Sequence, residues 1–134
     1  MRRISGPLLD RIDMHIEVPS VEYEAMRRRK TPESSEAVRQ RVNAAREIQK
    51  RRFAGTDVSC NAYMTPPMVG RYCALDEAGE KLMQGAFERL GLTGRSHDRI
   101  LRMARTIADL EGAESISAAH LAEAIQFRSS GILK

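Results

Sequence analysis

Tryptophan is absent from this 134-residue chain, and aromatic residues make up only 4% of it. Core packing therefore falls to Leu, Ile, Val, Ala and Met, which favours packed helices over a β-sandwich built on large aromatic anchors. No apolar run approaches the roughly 20 residues that a membrane-spanning helix needs. The opening Met1-Arg2-Arg3-Ile4 leads into no apolar stretch of the kind a secretory signal carries. Two cysteines, Cys60 and Cys73, are too few for a disulfide framework and suit a reducing compartment. Neither has neighbours that suggest a reactive thiolate, and with three scattered histidines they show no zinc-type spacing, so no metal site is expected. Together these absences predict a cytoplasmic protein with no membrane partner.

Proline is missing from the whole second half: Pro7, Pro19, Pro32, Pro66 and Pro67 all precede residue 68. The proline-free half has helical periodicity. Leu75, Ala78, Leu82, Ala86 and Leu90 mark one helix, with Asp76 as N-cap and Gly91 as stop. A second is predicted over 94–111, with Ile100, Ala104, Ile107 and Leu110 as its apolar stripe, Thr93 as N-cap and Gly112 as stop. A third runs from Ser117 to about Phe127 through Leu121, Ala122 and Ile125. A short helix opens at Thr65, with Pro66 in the first helical position, where proline is tolerated. Residues 129–134 read as a frayed, disordered tail.

Charge is unevenly spread. The net charge is +4, yet residues 27–52 carry ten basic groups against three acidic, while residues 1–26 sum to −2 and residues 53–134 to −1. Most of this basic block is predicted to be a helix over 34–53, with Val38, Val42, Ala45 and Ile48 as its buried stripe and Gly55 closing it. At 100° per residue, Arg39, Arg46 and Lys50 fall within about 40° of one another on one flank. Arg41 and Arg52 fall on the other. Two basic rails beside an apolar stripe suit a phosphate backbone, with nucleic acid the first candidate partner; they equally suit cations that snorkel around a packed core. Residues 56–64 read as a loop.

The first twenty residues differ from the rest. Ile12, Met14, Ile16 and Val18 alternate with Asp13, His15 and Glu17 before Pro19, the period of a half-buried β-strand. No partner strand is evident, and a lone strand leaves its backbone groups unpaired. The expectation is a piece of a larger protein, mainly α, with one orphan strand from a truncated α/β core and with residues 1–20 its least ordered part.

Three segments carry a resemblance. Ile4-Ser5-Gly6-Pro7-Leu8-Leu9-Asp10-Arg11-Ile12-Asp13 resembles the segment of magnesium-chelatase-like AAA+ ATPases in which the arginine just before the strand is the arginine finger. The run from Leu92 to Leu110 resembles the lid helix of that branch, which opens with the sensor 2 arginine, here Arg95. The stretch Ala118-Ala119-His120-Leu121-Ala122-Glu123-Ala124-Ile125-Gln126-Phe127-Arg128 narrows the match to the ComM-type, magnesium-chelatase-related family. The resemblance covers roughly residues 3–19 and 61–128. It departs from the family pattern where an aromatic residue and then histidine usually come after the residue next to the sensor arginine; His97 and Asp98 stand there instead. Asp98 has helical spacing to pair with Arg95 or Arg102, and His97 receives no catalytic role.

The resemblance implies a division into a core tail (1–20), a basic linker helix region (21–60), a helical lid (61–128) and the tail (129–134). It implies ATP and Mg2+ as cofactors of the intact protein and neighbouring subunits of a homo-oligomeric ring as partners. Arg11 would act across the subunit interface and Arg95 within its own subunit. DNA is the implied further partner, through similarity to branch-migration helicases, with Arg39, Arg46 and Lys50 as the candidate path. The bland counterparts are Arg11 paired with Asp10 or Asp13, and Arg95 as an ordinary surface residue. No Gly-x-x-x-x-Gly-Lys-Ser/Thr phosphate loop and no acidic Walker B strand occur in the 134 residues. This piece is therefore expected to hold no nucleotide and to hydrolyse no ATP alone. The missing upstream part would carry those motifs and, in this family, a domain similar to that of Lon-type proteases. Two rivals stand: a non-enzymatic helical DNA-binding module, and an ATPase subunit of a true magnesium chelatase.

Overall fold

The computed structural model describes Met14 and residues 34–129. Among the described residues five α-helices succeed one another, α1 (Ser35–Arg52), α2 (Pro66–Tyr72), α3 (Glu77–Leu90), α4 (Gly94–Glu111) and α5 (Ala118–Ser129), with a single 3-10 turn at Asn61–Tyr63. No strand occurs among the described residues; the one β-type contact is an isolated parallel bridge between Leu75 and Ile116. The mainly helical class predicted from the sequence is therefore what the chain adopts. The strand predicted over 12–18 lies outside the described residues apart from Met14.

Local chemistry sets the boundaries. The Ser34 hydroxyl accepts a hydrogen bond from the Ala37 N–H at 3.1 Å and starts α1, and Lys50, Arg51 and Arg52 sit in its last turn, where the helix dipole favours cations. The Asp76 carboxylate accepts from the Gly79 N–H at 2.7 Å at the head of α3. Thr93 Oγ1 accepts from the Ser96 N–H at 3.2 Å at the head of α4. Gly91 and Gly112 end these two helices with φ of +60° and +72°, a conformation that side chains with a Cβ resist. At Gly112 the chain closes a Schellman motif: Gly112 N–H donates to the Asp109 carbonyl and Ala113 N–H to that of Ala108.

α4 is the hub. It packs against α1, α2, α5 and the 3-10 turn, while α5 also covers α3. Ile100, Ala104, Ile107 and Ala108 of α4 meet Met83 and Ala86 of α3, and Leu121, Ala124 and Ile125 of α5, in one apolar core. Phe53, just past α1, seals one side by packing edge-on against Tyr72, with ring centroids 5.7 Å apart.

Several predicted core positions are elsewhere. Val38 and Val42 are exposed (39% and 37%), because the body of the domain supports α1 only from Ala45 onward. Leu110 is 44% exposed because Leu101, Arg105 and Ala108 turn inward with Ile100, Ala104 and Ile107, shifting the buried face of α4 away from it. Ala78 is exposed and Gly79 buried, while Ala86 is in the core and Leu75, Leu82 and Leu90 pack against it as predicted. A Cβ at Gly79 would lie 3.1 Å from Leu75 Cβ, so the absent side chain allows the chain to turn closely into α3. Ala122 is exposed, and Leu121, Ala124 and Ile125 fill the contact instead. The predicted 56–64 loop contains the 3-10 turn. Ser129, assigned to the tail, is the last helical residue of α5, and the remainder of that tail lies outside the described residues.

Candidate functional site

The predicted site residues fall into separate places. Arg11 lies outside the described residues. Arg95 occupies the first turn of α4, exposed, just past the Thr93 cap. The backbone N–H groups of a helix start and the dipole behind them favour an anion at this end. Beside it His97 packs edge-on against Phe87, with ring centroids 5.7 Å apart, and its Nδ1 lies 3.2 Å from the Asp98 carboxylate. Arg102, the other partner considered for Asp98, donates instead to the Met64 carbonyl at 2.8 Å. It thereby ties α4 to the segment between the 3-10 turn and α2.

On α1 the rail of Arg39, Arg46 and Lys50 is solvent-exposed as expected. Arg39 pairs with Glu36 at 3.1 Å and Lys50 with Glu47 at 3.9 Å, both across i,i+3 on the exposed surface. Such pairs are worth only a few tenths of a kcal/mol, so a phosphate can compete for either cation. The opposite rail does not exist as predicted, because Arg52 turns into the domain.

Arg52 is the key to a buried polar clasp that sequence reasoning missed. Its guanidinium grips Asp109 at both oxygens, Nη1 to Oδ2 at 2.8 Å and Nη2 to Oδ1 at 2.7 Å, and Nη1 also donates to Asn61 Oδ1 at 2.9 Å. Asn61 Nδ2 donates to Asp109 Oδ2 at 2.8 Å and lies 3.1 Å from Thr106 Oγ1, while the Asn61 N–H donates to Gln49 Oε1 at 2.9 Å. From the other side Arg105 Nε donates to Asp109 Oδ1 at 3.2 Å, and its two Nη groups donate to the carbonyls of Ala113 and Glu114. The hydrogen bonds it donates to Asp109 hold the Arg52 guanidinium above its ordinary pKa, outweighing the burial that pulls it down. Arg52 lies 9 residues from Asn61 and 57 from Asp109, so local spacing could not reveal these partners. One signal was available: Arg52 shares a helical face with Ala45 and Gln49.

A second polar group closes the loop between α4 and α5. The Ser117 N–H donates to His120 Nδ1 at 3.0 Å, so the imidazole hydrogen sits on Nε2 and points at the Glu111 carboxylate. Ser117 Oγ lies 3.0 Å from Nδ1 and accepts from the His120 N–H at 3.3 Å. This serine, histidine and glutamate thus form a capping box at the start of α5 and a brace to α4, since the serine oxygen is engaged by a helix N–H rather than presented as a nucleophile.

Cys73 is 2% exposed, and burial pushes its thiol up to about 11 although Arg105, Arg52 and Arg102 pull it down. It is an inert core sulfur, as expected from the sequence. Among the described residues no group of three or more His, Cys, Asp or Glu is placed to hold a metal ion, and no helix is long and apolar enough to cross a membrane.

The described residues thus form a helical domain hung on one long central helix, with Arg95 at that helix's exposed N-terminal end. Residues 32–128 match the family model described as magnesium chelatase, subunit ChlI C-terminal, and residues 1–26 match that of magnesium chelatase, subunit ChlI. The chain belongs to this magnesium-chelatase-like family of AAA+ proteins and comprises its C-terminal region. Among its relatives are competence protein ComM of Haemophilus influenzae, 40% identical over 130 residues, and the uncharacterized protein YifB of Escherichia coli, 37% identical over 130 residues. An uncharacterized protein of Mycobacterium tuberculosis is 34% identical over 129 residues. Each match takes in 96% of this chain, which spans about a quarter of the length of the relatives.

The buried groups set measurable stabilities. Asp109→Ala leaves two arginines and an amide facing an empty carboxylate site, and unfolding in urea should show a loss of about 3–5 kcal/mol. Arg52→Ala should cost less, because Asp109 keeps Arg105 and Asn61; equal losses would mean that the carboxylate is not the shared anchor. For Cys73 the folded state holds its proton more tightly than the unfolded state. Its contribution is therefore intact below the ordinary thiol pKa of 9.0 and is lost as pH rises toward about 11. Stability measured from about pH 8.5 to 11 should fall more steeply for the native chain than for Cys73→Ala.

Proposed function

We propose that this chain is the C-terminal lid region of a ring-forming ATPase and that Arg95 reads the γ-phosphate of the nucleotide bound by its own subunit. The observation that carries the reading is the placement of an exposed arginine on the first turn of α4, at the end where the helix already favours an anion. A nucleotide phosphate is the group that fits there. For Mg2+ the described residues offer no cluster of three or more His, Cys, Asp or Glu, and the family resemblance gives the metal and the attacking water to other parts of the intact protein. When bound, the nucleotide supplies the phosphoanhydride whose hydrolysis drives the motor. What this chain contributes is electrostatic: phosphoryl transfer is governed by positioning and by neutralising charge that develops on the transferred group. Arg95 would do this within the subunit, and Arg11 across the interface to a neighbouring subunit. Because α4 packs against α1, α2 and α5, a contact at Arg95 would act on the domain through it.

In the intact protein Arg95→Ala should lower kcat for ATP hydrolysis by about tenfold or more, the loss of at least one charge-assisted contact. Arg95→Lys, which keeps the charge but not the fork, should recover only part of it. Unchanged hydrolysis in both variants would reduce Arg95 to a surface residue.

The work done by the motor is proposed to be on DNA, in a cytoplasmic setting. The support is the exposed rail of Arg39, Arg46 and Lys50 on α1, together with the competence protein among the relatives. Three to five phosphate contacts on a single strand predict a log–log salt slope of roughly −2 to −3.5 for binding of labelled single-stranded DNA. The triple reversal of Arg39, Arg46 and Lys50 to Glu should abolish that binding. Binding that survives the reversal, or none at low salt in the native protein, would remove DNA from this helix. A non-enzymatic DNA-binding module would show the same slope but no ATP hydrolysis in the intact protein. A true magnesium chelatase would hydrolyse ATP without any DNA dependence.

A further inference from the structure

We infer that Tyr63 is a stacking platform for the unpaired bases of a single DNA strand whose phosphates follow the rail on α1. The inference rests on the proposed action on DNA and deepens it, since it names the form of DNA held and the residue that selects it. Among the described residues Tyr63 is the most exposed large hydrophobic side chain, at 69%, and the other aromatic rings are buried or half-buried. One exposed ring by itself calls for no explanation, but this one has a rigid seat. On either side of it Asn61 and Met64 are buried, at 1% and 2% exposure. The Tyr63 N–H donates to the Cys60 carbonyl and the Met64 N–H to that of Asn61, both at 3.1 Å, which closes the 3-10 turn beneath the ring. Asn61 is fixed in the clasp, and Arg102 grips the Met64 carbonyl at 2.8 Å. A platform whose backbone is held at both ends has little freedom left to lose when a base lands on it.

The turn lies on the rail's side of α1. At 100° per residue, Arg52 is followed round the helix by Gln49 about 60° on, Arg46 about 60° further and Lys50 about 40° beyond that. Arg52 faces Asp109 of α4. Gln49 accepts the Asn61 N–H at 2.9 Å, which sets the backbone of the turn between the α1–α4 contact and the rail. The Tyr63 Cα lies no more than about 7 Å from that of Asn61. Exposed Arg46 and Lys50 thus stand on the α1 side of the ring, and the Arg102 guanidinium, bonded to the next residue, on the α4 side. Cations that track a backbone, beside an aromatic face that receives bases, are the two elements of single-strand binding. In a duplex the base faces are already stacked on one another and offer the ring nothing. The surrounding cations favour this polyanion over an apolar protein surface as the occupant.

The test measures fluorescence anisotropy of the intact protein with three labelled probes: a short oligothymidylate, an abasic strand of the same length, and a duplex. Tyr63→Ala should weaken binding of the oligothymidylate at least about fivefold, the loss of one stacked base. Binding of the abasic strand and of the duplex should not change, and the salt slope should stay the same because no phosphate contact is lost. Tyr63→Phe should bind as the native protein does, since the ring face and not the hydroxyl is used. Native affinity of Tyr63→Ala for the oligothymidylate overturns the platform. Equal losses on the abasic strand also overturn it and assign Tyr63 to a protein contact. The native protein separates the two levels of failure. Native binding that Tyr63→Ala leaves untouched rejects only the platform, whereas no native binding to any probe at low salt rejects the action on DNA and this inference with it.

Discussion

A carboxylate withdrawn from water has to be surrounded by donors, and Asp109 is fully buried with Arg52, Arg105 and Asn61 around it. Each donor brings a different piece of chain. Arg52 brings the end of α1, Asn61 the 3-10 turn, and Arg105, through the carbonyls of Ala113 and Glu114, the loop that leads to α5. Desolvating such a group is expensive, so the alternative arrangements that leave it short of a donor are excluded. The clasp therefore decides where α1 sits more than it adds to net stability.

The two ends of α4 have different surroundings. Near its C-terminal end the charges are matched inside the fold by Asp109, Arg52 and Arg105. Its N-terminal end faces solvent with Arg95 on the first turn, the His97–Asp98 pair and the positive end of the dipole. The rise of 1.5 Å per residue puts about 21 Å between Arg95 and Asp109. Under the proposed function, a helix of this length, held at one end by the clasp, would carry a nucleotide-dependent displacement at Arg95 into the domain. α1 is fastened at the locked end, so its projecting half and its basic rail would move with α4.

How far the site could be read from sequence depended on the range of the interactions involved. Thr93, Asp76, Gly91 and Gly112 each act on near neighbours in the chain, and each was legible. The exposed rail was legible too, because helical angle alone places Arg39, Arg46 and Lys50 together. Arg52 was misplaced on a solvent flank: an arginine beside other arginines looks like surface until its partner, 57 residues on, is known. Periodicity places Val38 and Val42 in the core because it reports which face is apolar, not whether anything covers it.

By itself the sequence determined the helical class, the caps and stops, the inert cysteine and the family, since these rest on local hydrogen bonding, composition and residue pattern. Only the tertiary structure decided which apolar faces are buried, that Arg52 belongs to a buried clasp, and that α1 is supported along half its length. Those outcomes depend on what lies opposite a residue in space. The donors required by one buried carboxylate settle that, and two of them, Asn61 and Arg52, lie 48 and 57 residues from Asp109.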